Sequence, residues 1–380
     1  MTLPMFFYGT LRDPDIRRIV IGPHADDLRA EPAVLRDHAL FRVKDEDYPL
    51  IRPVPGGEVA GLLVHGIGAD DKARIAFFEC DGEYAPRRVE VETAAGPAEA
   101  LLWQDETPEY LTDQPWSFEA WQETAKPLFA EAVREFMDHF GKPIRTDMDI
   151  WDGILIRAAA RLRAAAERPV RRLRKGLARA DVRQCGLDRP YAAHFGIEEH
   201  RIRHRRFDGG WSPELMRAAF VSGDAVTVLP YDPVRDRVLM IEQWRAGPWA
   251  RGDAVPWTLE AIAGRCDAGE DAETTARREA REEAGLRLGR LERIAAYYPS
   301  PGIMAENITS YVGEAELDGE DGIHGLDGEN EDIRAFAVSF DRAMEAVADG
   351  EVNNAPLLIS LIWLARERDR LRREWAGSRA

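Results

Sequence analysis

Glu279, Glu282 and Glu283 stand at i, i+3 and i+4 within the stretch Gly264–Leu286, GRCDAGEDAETTARREAREEAGL. On a helix, that spacing puts three carboxylates on one face within a turn of each other. Like charges so placed repel, and a purely structural helix gains nothing by concentrating them. A hard divalent cation removes the conflict, because Mg²⁺ and Mn²⁺ prefer oxygen ligands and share them with substrate phosphates. The bland alternative is a solvated charged face on an acidic protein. The rest of the stretch weighs against it. Asp267 and Glu270-Asp271 offer N-terminal capping and favourable charge, and Gly285 offers a C-terminal stop. Arg278 is spaced to reach back towards Glu270 and tie the loop to the helix.

The elements that position these residues read as strand, loop, helix and loop. Asp224–Tyr231 and Arg237–Trp244 form an expected hairpin, Trp257–Ala263 an expected strand into the acidic stretch, and Pro213–Val221 an expected helix. The spacing of Gly264–Leu286 resembles the Nudix box, complete apart from Ala280, a small residue where a larger aliphatic one is more usual. IEQWR (Ile241–Arg245), WTLEAIAG (Trp257–Gly264), YPSPG (Tyr298–Gly302), IHGL (Ile323–Leu326), GENEDI (Gly328–Ile333) and a closing helix at Asn353–Leu371 are similar to the ADP-ribose pyrophosphatase branch of Nudix hydrolases. Pro301 occupies the place of that branch's proline beyond the box.

This resemblance implies Mg²⁺-dependent hydrolysis of ADP-ribose, or a related nucleoside diphosphate sugar, to AMP and ribose 5-phosphate. Mn²⁺ is an alternative metal. Glu279 and Glu283 would be the main ligands, aided by Glu282 and the Ala263 carbonyl, and the ions would polarise phosphoryl oxygens and activate water. Glu329 or Glu331 would accept the water proton, family position favouring Glu329; the bland reading of their loop is solubility. Arg245 would hold a phosphate, with a surface ion pair as the alternative. Glu260 would bind substrate or orient a ligand. Arg217 and Glu306 would lie near adenosine and the terminal ribose, and Ser300 in the YPSPG turn would touch substrate. Ile303-Met304 departs from the small residues usual beside that turn, which bears on how the ribose is held. The family also implies a homodimer, for which the apolar face of Leu357–Leu364 is a suitable surface.

A second candidate site lies near the start. Met5–Leu11, MFFYGTL, reads as a buried strand turning at Gly9 into a helix through Ile21, with amides that can bind an anion. Strands with Gly/Pro turns follow at Leu40–Val43, Tyr48–Pro53 and Gly56–Val64, then Phe77-Phe78-Glu79-Cys80, Tyr84 and Arg88–Glu92. Together these resemble the γ-glutamylcyclotransferase-like (AIG2-like) family. That family's pattern would have Tyr8, Gly9, Thr10 and Leu11 hold a glutamyl carboxylate and Glu79 shuttle protons, with Glu83 as a rival. Ala76, and Cys80-Asp81 after Glu79, depart from the pattern, so a degenerate binding module is the competing reading.

At 380 residues the chain expects two domains, α/β and α+β in class. Residues 1–145 would form a γ-glutamylcyclotransferase-like small barrel with a helical extension over Trp116–Gly141. Residues 146–188 would be a basic helical linker, with Pro169 as a break and Gln184–Tyr191 as a boundary. Residues 189–380 would be a Nudix α/β/α sandwich with a mixed sheet. This two-domain order resembles bacterial proteins associated with tellurite resistance, a label that names no reaction.

The net charge of −17 disfavours general nucleic-acid affinity. Between Arg157 and Arg183, however, ten Lys/Arg face two acids, a local +8 that leaves −25 for the rest. A solvated linker is the expected reading, with anionic lipid or nucleic acid as alternatives. Three scattered cysteines form no zinc spacing, no apolar run approaches a transmembrane span, and MTLPMFFYGTLRD lacks a secretory pattern. The expectation is therefore a cytoplasmic protein. Three readings compete: a metal-dependent diphosphate-sugar hydrolase, a γ-glutamylcyclotransferase with a subordinate second half, and a ligand sensor in which neither fold turns over.

Overall fold

Phe6 belongs to one buried cluster and its neighbours Met5 and Phe7 to another, and this period of two organises the N-terminal fold. A computed structural model describes residues 3–44, 46–79, 84–105, 111–142, 150–319, 321–325 and 331–376. The chain divides into two compact units, Met1–Leu155 and Ile156–Ala380.

The first unit runs β1 (Met5–Phe7), α1 (Pro14–Ile21), β2 (Arg29–Val43), β3 (Pro49–His65), α2 (Ala69–Phe78), β4 (Tyr84–Thr93), β5 (Gly96–Asp105), β6 (Leu111–Pro115), α3 (Phe118–Thr124) and α4 (Lys126–Met137). The strand order β3-β1-β5-β4-β2 returns to β3 through the long β2–β3 hairpin, so the sheet closes into a small barrel; β6 extends the far end of β2. Phe6, Tyr8, Leu35, Ile51, Leu63 and Leu102 fill one cluster. Met5, Phe7 and Leu11 pack in the other with residues of α1, α2 and α4, including Ile16, Ile75 and Phe129. The expected Trp116–Gly141 helix is two helices that meet at Ala125, and Trp121, Val133 and Met137 are buried as expected.

Helix α5 (Ile150–Ala166) begins in the first unit and ends in the second. The second unit continues with β7 (Val182–Ala192), β8 (Gly196–His204), β9 (Leu215–Val221), β10 (Ala225–Asp232), β11 (Arg237–Trp244), α6 (Ala246–Arg251), β12 (Trp257–Glu260), β13 (Ile262–Arg265), α7 (Ala272–Ala284), β14 (Leu291–Tyr297), β15 (Ile308–Glu314), β16 (Gly322–His324), β17 (Ile333–Ser339), α8 (Phe340–Asp349) and α9 (Ala355–Ala376). Its large sheet has the order β14-β15-β10-β11-β17-β16, with β12 beside β11 and β13 beside β10. It is mixed: β10 runs parallel to β15 and antiparallel to β11 and β13. Val226, Val228, Leu239 and Ile241 pack with α7; Leu229, Tyr231, Val238 and Met240 pack with α8 and α9. Both faces are covered, which makes an α/β/α sandwich and explains why these strands read as nearly continuous apolar runs.

Several elements differ from the sequence reading. Pro213–Val221, expected as a helix, holds strand β9, because pairing with β8 over Gly196↔Val221 to Ile202↔Leu215 supplies backbone partners that local propensity does not foresee. Gln184–Tyr191, expected as a boundary, lies inside β7 of the same three-stranded sheet. The basic helix stops at Ala166, ahead of Pro169. Its Arg157 is fully buried, donating from Nη1 to Ala193 O at 3.0 Å, while Arg161 pairs with Glu198 and Arg163 with Asp224. Trp257–Ala263 breaks at Ala261 into two strands, because β12 pairs with β11 and β13 with β10. Leu357, Leu361 and Leu364 are buried in their own sandwich, so the apolar face assigned to a subunit contact is intramolecular packing.

Candidate active site

Helix α7 is built as its sequence requires. Asp271 accepts from Thr274 N (2.8 Å) as the N-cap, and Gly285 closes the helix in the left-handed region at φ 64°. Ala276, Ala280 and Ala284, one turn apart, are buried against the sheet. Ala280 therefore sits where the helix backbone approaches closely, and a larger aliphatic side chain would hold it further off.

That approach puts the acids against β13. Ala263 lies opposite Thr227 and Gly264 opposite Val226 in the β10–β13 register. Ala263 N donates to Glu283 Oε2 at 3.0 Å. A Cβ on Gly264 would overlap the Glu279 carboxylate, so glycine there lets that carboxylate rest directly against the strand. Arg278 joins the acids from the other side. It reaches Glu270 from Nε and Nη2 (3.0–3.2 Å), Glu279 and Glu282 from Nη1 (2.8 and 2.9 Å), and the Arg265 carbonyl from Nη2 (3.2 Å). The sequence pointed to Glu270 as its partner; the bridge to Glu279 and Glu282 was missed, although Arg278 precedes one by one residue and the other by four.

Burial, then repulsion from Glu282 and Glu331, pushes Glu279 up to about 7, against the pull of Arg278. Burial above all, with Glu279 and Glu331 adding to it, pushes Glu283 up to about 8. Glu331 thus acts electrostatically on both acids, and also on Arg245. Glu329 lies outside the described residues, as do Cys80 and Glu83.

Arg245 forms a bidentate pair with Glu260, Nε to Oε1 at 2.9 Å and Nη2 to Oε2 at 2.8 Å, and Thr258 Oγ1 also donates to Glu260. Two expected substrate contacts are therefore a single preformed unit, the Arg245 side chain reaching back from the end of β11 to Glu260, which lies opposite Ile241 in the β11–β12 register. Ser300 and Glu306 lie together on another loop. Ser300 O accepts from Ile303 N and Met304 N (3.1 and 2.8 Å), and the following residues bond to Phe220 of β9. Ser222 Oγ donates to Glu306 Oε1 at 3.1 Å, and burial raises Glu306 above the usual carboxylate range. Arg217 is exposed on β9, and its Nη1 donates to the neighbouring Met216 O; no described contact joins it to the acids.

In the other unit, Tyr8 and Thr10 are buried, and a Cβ on Gly9 would come within 3.0 Å of Pro49. Leu11 shares a cluster with Ile75 and Phe78 of α2, the helix that ends at Glu79. Burial pushes Glu79 up to about 7.

Among the described residues no three Asp, Glu, His or Cys side chains stand in a ready ligating group. The donor chemistry still fits a hard divalent cation. Carboxylates raised by desolvation and mutual repulsion, one of them lying against Gly264, are groups that a cation would neutralise.

Two family models match the chain. The NUDIX domain covers residues 221–359, and Gamma-glutamyl cyclotransferase, AIG2-like, covers residues 5–122. The ADP-ribose pyrophosphatase of Escherichia coli strain K12 is 41% identical over 196 residues, spanning 52% of this chain and 93% of that protein. The ADP-ribose pyrophosphatase of Haemophilus influenzae is 34% identical over 200 residues, 52% of this chain and 92% of its own length. The GDP-mannose pyrophosphatase of Salmonella paratyphi B is 31% identical over 148 residues, 39% of this chain and 76% of its own.

Proposed function

Since this chain belongs to the Nudix hydrolases through its C-terminal unit, we propose that this unit cleaves the pyrophosphate of ADP-ribose, or of a related nucleoside diphosphate sugar, releasing AMP and ribose 5-phosphate from ADP-ribose. The observation that carries the reading is the placement of Glu283 on the Ala263 amide and of Glu279 against Gly264, with Glu282 tied to Glu279 through Arg278 and with the Arg245–Glu260 pair and Glu331 within electrostatic reach.

Glu279, Glu283, Glu282 and the Ala263 carbonyl would hold Mg²⁺ or Mn²⁺. When bound, the ion supplies Lewis-acid polarisation of the diphosphate and neutralises its charge. The chain's own groups supply the rest. Arg278 pre-aligns Glu279 and Glu282, so their mutual repulsion does not splay them before substrate arrives. Arg245, held flat by Glu260, presents a planar cation to a phosphate oxygen. Water attacks one phosphorus, its proton passes to a carboxylate, and the bond from that phosphorus to the bridging oxygen breaks. Glu329, which family position favours, or Glu331 would be that base. The homodimer implied by family resemblance belongs to the same proposal, and sedimentation of the purified chain measures it.

The decisive assay offers ADP-ribose, GDP-mannose, ADP-glucose, NADH and nucleoside triphosphates with Mg²⁺ or Mn²⁺. The expected result is preferential release of AMP from ADP-ribose, with Glu283→Gln lowering kcat by about a hundredfold or more. Full turnover in Glu283→Gln would remove the assignment.

A second reading concerns the barrel and rests on Glu79. A half-buried carboxylate that desolvation pushes up to about 7 is matched to moving a proton at neutral pH, as γ-glutamyl cyclisation to 5-oxoproline needs. Release of 5-oxoproline from γ-glutamyl amines that survived Glu79→Gln would exclude this role.

A further inference from the structure

Neither family match reaches residues 123–220, and that stretch carries the basic part of an otherwise acidic chain. The arginines of α5 are engaged inside the second unit: Arg161 on Glu198, where Arg189 and His200 also converge, and Arg163 on Asp224. Beyond Ala166 the situation reverses. From Arg168 to Ala180 the chain holds six Lys/Arg and no acid, and residues 164–177 are all exposed.

Apolar side chains are set within this basic run. Leu173, inside Arg171-Arg172-Leu173-Arg174-Lys175, is 101% exposed, and Val170 is 74% exposed. Such side chains contribute nothing to the fold's own core, yet each would gain on leaving water. A second segment joins them. Phe207, in the connection between β8 and β9, is 75% exposed, and Lys175 Nζ lies 5.7 Å from its ring centre. Arg205 N donates to Asp181 O at 2.8 Å, which holds the β8 end beside the basic run. One face of the second unit therefore carries clustered cations with exposed apolar side chains between them.

We propose that this face docks the protein on an anionic lipid bilayer, with Val170, Leu173 and Phe207 entering the headgroup region and the flanking cations meeting lipid phosphates. Charge complementarity supplies the attraction, and the aliphatic side chains select the partner. Single-stranded nucleic acid rewards aromatic platforms on which bases stack, whereas fully exposed Leu and Val gain from an acyl boundary. The chain outside residues 168–180 carries −23, the net −17 less the six positive charges of that run, and is repelled by the same surface, so the contact is confined to this face and orients the molecule.

Flotation of the full 380-residue chain with phosphatidylcholine vesicles, with and without phosphatidylglycerol, tests the proposal. Binding is expected only to the anionic vesicles, and it should weaken as salt rises. Reversing two charges, Arg171→Glu with Arg174→Glu, should lower vesicle affinity by at least roughly tenfold. Leu173→Asp should weaken binding while both variants keep the wild-type thermal midpoint. Absence of binding to anionic vesicles, equal binding to neutral ones, or indifference to the charge reversal would overturn it. So would tighter binding of single-stranded RNA at matched phosphate concentration.

Discussion

Arg278 makes contacts at once to Glu270, Glu279, Glu282 and the Arg265 carbonyl, which only a forked, planar cation can do. Lysine keeps the charge but loses the fork, so Arg278→Lys should behave as a broken clasp. Divalent-cation affinity, measured by titration calorimetry, and kcat should both fall about 10–100-fold, the range for groups that orient metal ligands. Unchanged values would mean that the helix face holds its acids without help. The same residue shows what spacing could tell: its proximity to Glu270 and, at i,i+4, to Glu282 was readable, but the contact to the Arg265 carbonyl depends on how α7 lies on β13. Glu331 makes a similar point. It was one of two glutamates in one loop, and only the fold sets it against Glu279, Glu283 and Arg245.

At the scale of elements, the sandwich is locked where the β10–β11 turn meets α9. Asp236, at φ 57°, accepts from Tyr231 Oη (2.8 Å) and pairs with Arg368 and Arg372. Burial works to raise its carboxyl, but Arg368 and Tyr231 outweigh it and hold the group below the usual carboxylate range. A group depressed in the folded state stabilises above its unfolded value, near ~3.9, and that stability is lost as pH falls through the lower folded value. Chemical denaturation at stepped pH should therefore show an acid-side loss for the second unit, and Asp236→Asn should flatten that limb while lowering stability at neutral pH. An unchanged limb would place the acid sensitivity elsewhere. The strands of this sandwich were legible because burial on both faces leaves apolar runs. β9 was not, because Leu215–Val221 has too little alternation to reveal pairing with a strand in a separate sheet.

For the whole molecule, two units carrying separate candidate sites predict separable chemistry. Glu283→Gln should abolish diphosphate hydrolysis and leave 5-oxoproline release at its wild-type rate; Glu79→Gln should do the reverse. Loss of both activities in either variant would argue against independent sites. Glu79 also carries a stability signature of opposite sign to Asp236. Its folded value is raised to about 7, so its contribution is full below the unfolded value near ~4.3 and is lost as pH rises through the folded one. Glu79→Gln should accordingly raise the thermal midpoint of the first unit at mildly alkaline pH relative to the parent chain.

The sequence by itself determined the three glutamates and their face, the cap and stop of α7, many strands of both units, and the likeness to two families. These are local patterns of spacing and periodicity, and local geometry dictates them. The tertiary structure alone decided that Gly264 lies against the Glu279 carboxylate, that Arg245 and Glu260 are one bidentate pair, that β2 and β3 close a barrel, and that Leu357–Leu364 faces inward. Each depends on residues far apart in the chain meeting at a particular register. A one-residue shift in that register would turn the side chains to the opposite face, and the local pattern that favours one face does not name the distant partner.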